Sequence, residues 1–229
     1  MTPQTVASGS TTGRSRRRGL TTVPAIAGLA YVAFWVVGLV VAPSSTSVRL
    51  TGAQVIAGFA GHEAGGTAQF ALTEGAASIA LAVVAIAVGR AGLRLPAARP
   101  AGLMIGAAVT AAAIGLVQCA LGVFLVVSAV PAGHAGTAAT LNDAITRLDG
   151  TKMFLLAVMA AAGTVLARRT GLLPRWLRWT GVALVVALIA SGIGYALLSN
   201  AFALAAWVSL PLLLIWVSGA GIVVGQQER

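Results

Sequence analysis

The chain has 229 residues, of which 58% are hydrophobic and 9% are charged. A soluble domain is about 45–50% apolar and about 25% charged, so a water-facing surface would not hide this excess of apolar residues. The composition excludes an ordinary soluble domain and predicts a protein embedded in a lipid bilayer.

The formal net charge of +10 does not indicate nucleic acid as a partner, because the arginines are placed periodically. They cluster within residues 14–18, 90–99 and 168–178, at every second boundary between apolar segments. Basic residues in this pattern mark the cytoplasmic side of a membrane. We therefore predict a multi-pass protein of the plasma membrane with both termini in the cytoplasm.

Hydropathy predicts an all-α, polytopic membrane helical bundle with six transmembrane helices, since a span needs about 17–25 apolar residues. Residues 1–22 are polar and basic, which predicts a disordered cytoplasmic tail, and residues 226–229 are predicted to form a second cytoplasmic tail. The predicted transmembrane domain covers residues 23–225, with spans at about 23–42, 69–89, 101–128, 151–167, 180–198 and 201–224.

Two loops on the predicted outer side contain candidate short helices. Within residues 51–59, the apolar side chains of Val55, Ile56 and Phe59 fall on one face, which predicts a helix lying against the membrane surface. Residues 141–148 predict a second short helix inside the 131–150 loop, before the fourth span.

Two parts of the sequence are similar to each other. Each begins with a Gly-His pair, at 61–62 or 133–134, and reaches an acid–glycine pair, at 74–75 or 149–150, before an alanine-rich span. One interpretation is that spans 1–2 and 3–4 are parallel repeats about an axis along the membrane normal. The other is chance similarity in a background rich in Ala, Gly and Val.

Glu74 is the only acidic residue inside any of the predicted spans, which makes it the first candidate for a site residue. It lies about 8 Å from the outer end of its predicted helix, at about 1.5 Å per residue. Small residues that include Ala71, Gly75 and Ser78 form a stripe on the same face, and such stripes let helices approach closely in lipid. We expect Glu74 to point into the bundle, because an intramembrane charge facing lipid is costly.

Several polar residues of other spans have a similar predicted depth. They are Lys152, Gln118, Ser191 and Tyr195. One interpretation is a structural Glu74–Lys152 ion pair, with Asp149 competing for the lysine from three residues away. A second is a site for a transported ion, a proton or a ligand, and a third is that Glu74 and Lys152 do not meet.

His62 and His134 occupy equivalent positions in the two outer loops, where a shared metal or a response to pH is an alternative to simple exposure. His62-Glu63 begins like a zinc-protease motif, but the second histidine of that motif is replaced by Gly66. No glycine-rich phosphate loop, nucleophile elbow or cysteine cluster occurs. We therefore expect no catalytic residues, no metal and no cofactor.

Several sequence stretches resemble a family of bacterial six-span integral membrane proteins of unknown function. They are RTGLLPRWL at 169–177, SGIGYALL at 191–198, SLPLLLIWVSGAGIVVG at 209–225, TEGAASIALAVVAIA at 73–87 and LDGTKM at 148–153. The resemblance covers about residues 23–225. It implies the same six-span topology and no established catalytic or binding residues.

Three functions follow as hypotheses. The first is a non-catalytic accessory or sensing membrane subunit, whose outer loops meet a membrane-protein partner or a second copy of the chain. The alternative is a small-solute or proton-linked transporter that uses Glu74. A second alternative is a membrane enzyme acting at the outer face.

Overall fold

The structure is a computed structural model that describes residues 23–42 and 47–227, and these residues contain helices and no strand. The predicted tail at 1–22, residues 43–46 and residues 228–229 lie outside the described residues. The helices are α1 (Val23–Val41), α2 (Gly52–Phe59), α3 (Glu63–Leu93), α4 (Ala98–Ala129), α5 (Ala135–Thr170), α6 (Arg175–Ala196), α7 (Asn200–Ala203) and α8 (Ala206–Gln227).

Six helical segments are long and apolar enough to cross a membrane: α1, α3, α4, α5, α6 and the α7–α8 segment Asn200–Gln227. This confirms the predicted all-α bundle of six apolar helices. Each of these segments packs against the next along the chain, and α8 closes the ring by packing against α1. Because α8 also contacts α3, the centre of the ring is filled with protein.

The core is built from small residues that receive a few large side chains. Trp216 of α8 is 1% exposed, and its ring lies against Gly163 of α5, where an added Cβ would lie 2.7 Å from it. Met104 and Met159 belong to the same buried cluster. Small residues at helix contacts allow this close approach, which association in lipid requires.

The two ends of the bundle differ in charge. Near one end, the Gln227 side chain donates a hydrogen bond to the Leu172 carbonyl at 2.8 Å, and the backbone of Gly221 lies against the Pro24 carbonyl. This end carries the α3–α4 and α5–α6 links and the arginines within residues 90–99 and 168–178, and we call it the arginine face. The other end, which carries α2 and the α4–α5 and α6–α7 connections, is called the opposite face. The cytoplasmic location of the arginine face stays a prediction.

The outer loop predicted at 131–150 differs in the structure, where α5 is one helix from Ala135 to Thr170. No proline occurs between Pro131 and Pro174, so nothing interrupts the backbone hydrogen bonds where the predicted short helix meets the predicted fourth span. A helix of 36 residues is about 54 Å long, well beyond the about 30 Å of the hydrocarbon core. α5 is therefore long enough for its amino-terminal part to extend beyond the hydrocarbon core, where it packs against α2.

The second span is also longer than predicted, because α3 begins at Glu63 rather than near residue 69. It contains a π-helical turn at Ala71–Ala76, which includes Glu74. Glu74 therefore lies about 16 Å from the start of its helix, rather than the expected 8 Å. Ala71, placed on the small-residue stripe by the sequence, is exposed at this turn.

The short helix α2 forms where the sequence predicts it, but its apolar face packs on protein rather than on the membrane surface. Thr51 caps its first turn, because the backbone N–H of Gln54 donates a hydrogen bond to the Thr51 hydroxyl at 3.3 Å. Val55 is 1% exposed and packs in a cluster with Leu125 of α4 and Ala138 of α5. The α2 helix therefore covers the ends of α4 and α5.

The two Gly-His pairs have the same local structure. Gly61 and Gly133 adopt positive φ angles of 77° and 68°, and His62 and His134 each stand immediately before a long helix. Glycine is favoured in this left-handed conformation because it lacks a Cβ. The similarity is therefore structural at these turns, and the larger repeat stays a hypothesis.

Candidate functional site

The buried polar centre of the bundle joins α3 to α5. Lys152 Nζ of α5 forms an ion pair with Glu74 Oε2 of α3, and a second with Asp149 Oδ1 at 2.8 Å, one turn earlier in α5. The Lys152 and Glu74 side chains are only 8% and 9% exposed, whereas that of Asp149 is 22% exposed. We call Glu74, Lys152 and Asp149 the charged triad.

Close helix packing holds Glu74 in place. An added Cβ at Gly115 of α4 would lie 3.0 Å from the Glu74 carbonyl oxygen, and one at Gly75 would lie 3.2 Å from Cys119 Sγ. On the α1 side, the backbone of Gly38 lies against the Thr73 methyl group. The backbone on both sides of Glu74 is therefore enclosed by neighbouring helices.

Tyr31 of α1 belongs to the surroundings of the triad, and it is not among the polar residues predicted to meet there. It is 3% exposed, and its hydroxyl lies within electrostatic range of both Lys152 and Glu74. The buried face of α1 is formed by Pro24, Gly28, Tyr31 and Gly38. The helical spacing of these glycines around the tyrosine is the sequence signal that identifies the face.

Gln118 lies at the α4–α5 contact and makes a separate interaction. Its Nε2 atom donates to the Ile145 carbonyl of α5 at 3.0 Å, and the residue is fully buried. Its Oε1 atom has no hydrogen-bond partner among the described residues. Among the described residues, no hydrogen bond or ion pair joins Gln118 to the triad, so Gln118 serves the α4–α5 interface.

Ser191 and Tyr195, both on α6, have different surroundings. Ser191 Oγ donates to the Ala187 carbonyl at 2.8 Å and lies 3.1 Å from Ser209 Oγ, so it links α6 to α8. Tyr195 packs beside Leu198, within electrostatic reach of all three members of the triad. The five-residue polar cluster expected from the sequence is thus divided: the ion pair with Tyr195 near it, and Gln118 and Ser191 at other helix contacts.

The two histidines lie at the surface of the opposite face. His62 Nδ1 is 3.3 Å from the Ala60 carbonyl, and both His62 and His134 are exposed. Within residues 23–42 and 47–227, no three His, Cys, Asp or Glu side chains are grouped as a metal site would require. The shared metal site considered for the histidines therefore has no structural support in this region.

The triad has two carboxylates and one ammonium, so the group carries a net charge of −1 when all three are ionised. Breaking a buried ion pair by removing one partner costs about 3–5 kcal/mol, because it leaves an uncompensated charge in a low-dielectric interior. The triad can therefore fix α3 against α5. Because Asp149 is partly exposed, it also gives Lys152 a second partner closer to solvent.

No protein-family model, curated protein or solved structure matches this chain. The family resemblance of the sequence stretches therefore stays an expectation.

Proposed function

We propose that the chain is a non-catalytic accessory or sensing membrane protein, in which the charged triad fixes the packing of α3 on α5 and the opposite face meets a partner. The observation that carries this proposal is the burial of Glu74 and Lys152, whose side chains are 9% and 8% exposed while paired with each other. A paired, enclosed charge is suited to holding helices in one arrangement.

The packing around the triad supports a structural role. A transport site has to open alternately to the two sides of the membrane, which needs helices that separate around it. Here Gly115 lies against the Glu74 carbonyl and Gly38 against Thr73, so there is no room for even one added methyl group without displacement. Such contacts favour a fixed bundle over a moving one.

The outer surface of α2 supports a partner at the opposite face. Ala53, Gln54, Ala57 and Gly58 are exposed, and an added Cβ at Gly58 would meet nothing within 4 Å. The inner side of α2 packs on the bundle through Val55. An anchored helix with a small, open outer surface can accept another chain without rearrangement.

A proton-linked transporter that uses Glu74 is the second candidate, favoured by two observations. Asp149 is 22% exposed and contacts the same lysine as the buried Glu74, which gives a chain of titratable groups leading inward. Glu74 also lies in a π-helical turn, a feature frequent at functional sites.

Purified protein in liposomes that contain a pH-sensitive dye distinguishes the two candidates. For a structural triad, the wild-type protein should show no proton flux above that of empty liposomes, and Glu74→Gln should lower thermal stability. Glu63→Gln, which changes the other glutamate of α3 at its less buried start, is the matched control. Flux that is present in wild-type protein and in the control, but is lost in a folded Glu74→Gln variant, would establish the transporter instead.

The partner is tested separately with a photo-crosslinking residue at Gly58 in native membranes. A discrete crosslinked product is expected at Gly58, and none at the exposed Leu95 on the arginine face. The same pattern at both positions, or no product at either, would contradict a partner at the opposite face.

A further inference from the structure

The opposite face contains an open pocket of about 430 Å³ that lies apart from the charged triad. Three parts of the chain meet there: the segment before α2, the amino-terminal part of α5 and the turn after α6. The residues that line the pocket are Arg49, Leu50, Thr51, Asp143, Arg147 and Leu198.

Both arginines are held by backbone carbonyls at the end of α6. Arg49 Nε donates to the Leu198 carbonyl at 2.8 Å, and Arg147 Nη1 donates to the Ala196 carbonyl at 3.1 Å. Each guanidinium carries five N–H donors, so most of its donors are not used by these bonds. The two cations are thereby fixed at the pocket with donors remaining for an anion.

Within residues 23–42 and 47–227, these three charges have no ionic partner. The ion pairs there all involve Lys152, and Arg49, Arg147 and Asp143 take part in none of them. In proteins generally, neighbouring guanidinium groups bind phosphate oxygens through charge-assisted hydrogen bonds. The Asp143 carboxylate, on the same pocket wall, suits a positively charged group attached to that phosphate.

Leucine side chains border the charged groups of the pocket. Leu50 and Leu198 form part of its lining, and Leu197, next to Leu198 in the chain, is 65% exposed. Leu204, which is 60% exposed, lines a second open pocket with Ser47 and Asn200. Exposed leucines beside a charged pocket at the end of membrane-crossing helices fit the boundary between lipid headgroups and acyl chains.

We propose that this pocket binds a phosphoethanolamine group, with its phosphate at Arg49 and Arg147 and its ammonium at Asp143. The exposed Leu197 and Leu204 favour a phospholipid as the source of that group, rather than a free molecule. Lipid binding at this pocket does not require any particular role of the triad.

The test is lipid retention by the delipidated full-length protein in detergent, measured by native mass spectrometry after addition of one lipid at a time. Phosphatidylethanolamine should be retained more strongly than phosphatidylcholine, whose methylated amine donates no hydrogen bond, and than phosphatidylglycerol, which has no cation for Asp143. The Arg49→Gln/Arg147→Gln double variant should lose about tenfold or more in affinity. Arg90→Gln/Arg175→Gln, on the arginine face, is the matched control and should bind normally.

Asp143→Asn keeps the proposal testable if the arginine variant fails to fold, because no hydrogen bond of the Asp143 side chain is seen in the described structure. This variant should lower the affinity for phosphatidylethanolamine, while the affinity for phosphatidylglycerol should stay the same or rise. Equal retention of all three lipids, or no change in either variant, overturns the proposal. Free phosphoethanolamine is tested in the same way, by the rise it causes in the unfolding temperature of the delipidated protein. A rise equal to that caused by phosphatidylethanolamine would support the headgroup chemistry and overturn the lipid as its source.

Discussion

Gly115 of α4 lies directly against Ser78 of α3, and an added Cβ at Gly115 would collide with the serine hydroxyl and lie 3.0 Å from the Glu74 carbonyl oxygen. This contact sets how closely α4 approaches the segment that carries Glu74. The missing side chain at Gly115 therefore allows α4 to pack directly against the part of α3 that carries the buried charge of Glu74.

We predict that Gly115→Ala destabilises the bundle. The added methyl group has to displace Ser78 or the α3 backbone, and overpacking of this kind costs about 1–3 kcal/mol. Gly106→Ala in the same helix is the control, because nothing lies within 4 Å of a Cβ there. Thermal unfolding in detergent should show a lower midpoint for Gly115→Ala alone. Equal midpoints for the two variants would contradict the close contact.

Within the charged triad, removal of the lysine should destabilise the protein more than removal of either acid. Lys152→Met leaves Glu74 buried without a cation, at a cost of about 3–5 kcal/mol. Glu74→Gln costs less, since Lys152 keeps its bond to Asp149 at 2.8 Å. Asp149→Asn costs least, because that side chain is partly exposed. Unfolding by a denaturing detergent, followed by circular dichroism, gives the order.

The Glu74→Gln/Lys152→Met double variant is the internal check on this order. It removes the buried charge together with its partner, so it should be more stable than Lys152→Met alone. A double variant that is less stable than both single variants would show that the ion pair is not the source of the effect.

Asn200 is predicted to hold the segment before α2 in place. Its Oδ1 atom accepts a hydrogen bond from the Val48 amide at 2.9 Å, which joins the segment before α2 to the start of α7. Asn200→Ala removes this acceptor, and a loss of about 1 kcal/mol corresponds to an about fivefold increase in local opening. Trypsin should therefore cleave after Arg49 several-fold faster. Asn142→Ala, on α5, is the control, and a cleavage rate that is unchanged in Asn200→Ala would argue against the tether.

The orientation in the membrane is predicted by the arginines and can be measured directly. In a Cys119→Ala background, Gly58→Cys on the opposite face should react with a membrane-impermeant maleimide in intact cells. Arg94→Cys, exposed on the arginine face, should react only after the membrane is opened. The reverse labelling pattern would invert the predicted topology.

The sequence was a good guide to Glu74 and Lys152, the two residues from which the site was built. A charge inside an apolar stretch is rare enough to be noticed without a structure, and its high cost in lipid predicts that it faces protein. The same reasoning could not identify the partners of Gln118 and Ser191. The Gln118 amide and the Ser191 hydroxyl can form hydrogen bonds with many different neighbours. The rotation of each helix about its axis decides which neighbour is within reach.

By itself, the sequence determined that this is an all-α bundle with six apolar helices, because transfer of each residue from water to lipid is a local and nearly additive property. Tertiary structure alone decided the rest: the continuous α5, the packing of α2 on protein, Tyr31 beside the triad, and the pocket of Arg49, Asp143 and Arg147. Helices in lipid have no hydrophobic force that fixes their mutual rotation, so close packing and hydrogen bonds between distant residues set it. Those contacts depend on shape in three dimensions, which a hydropathy pattern does not contain.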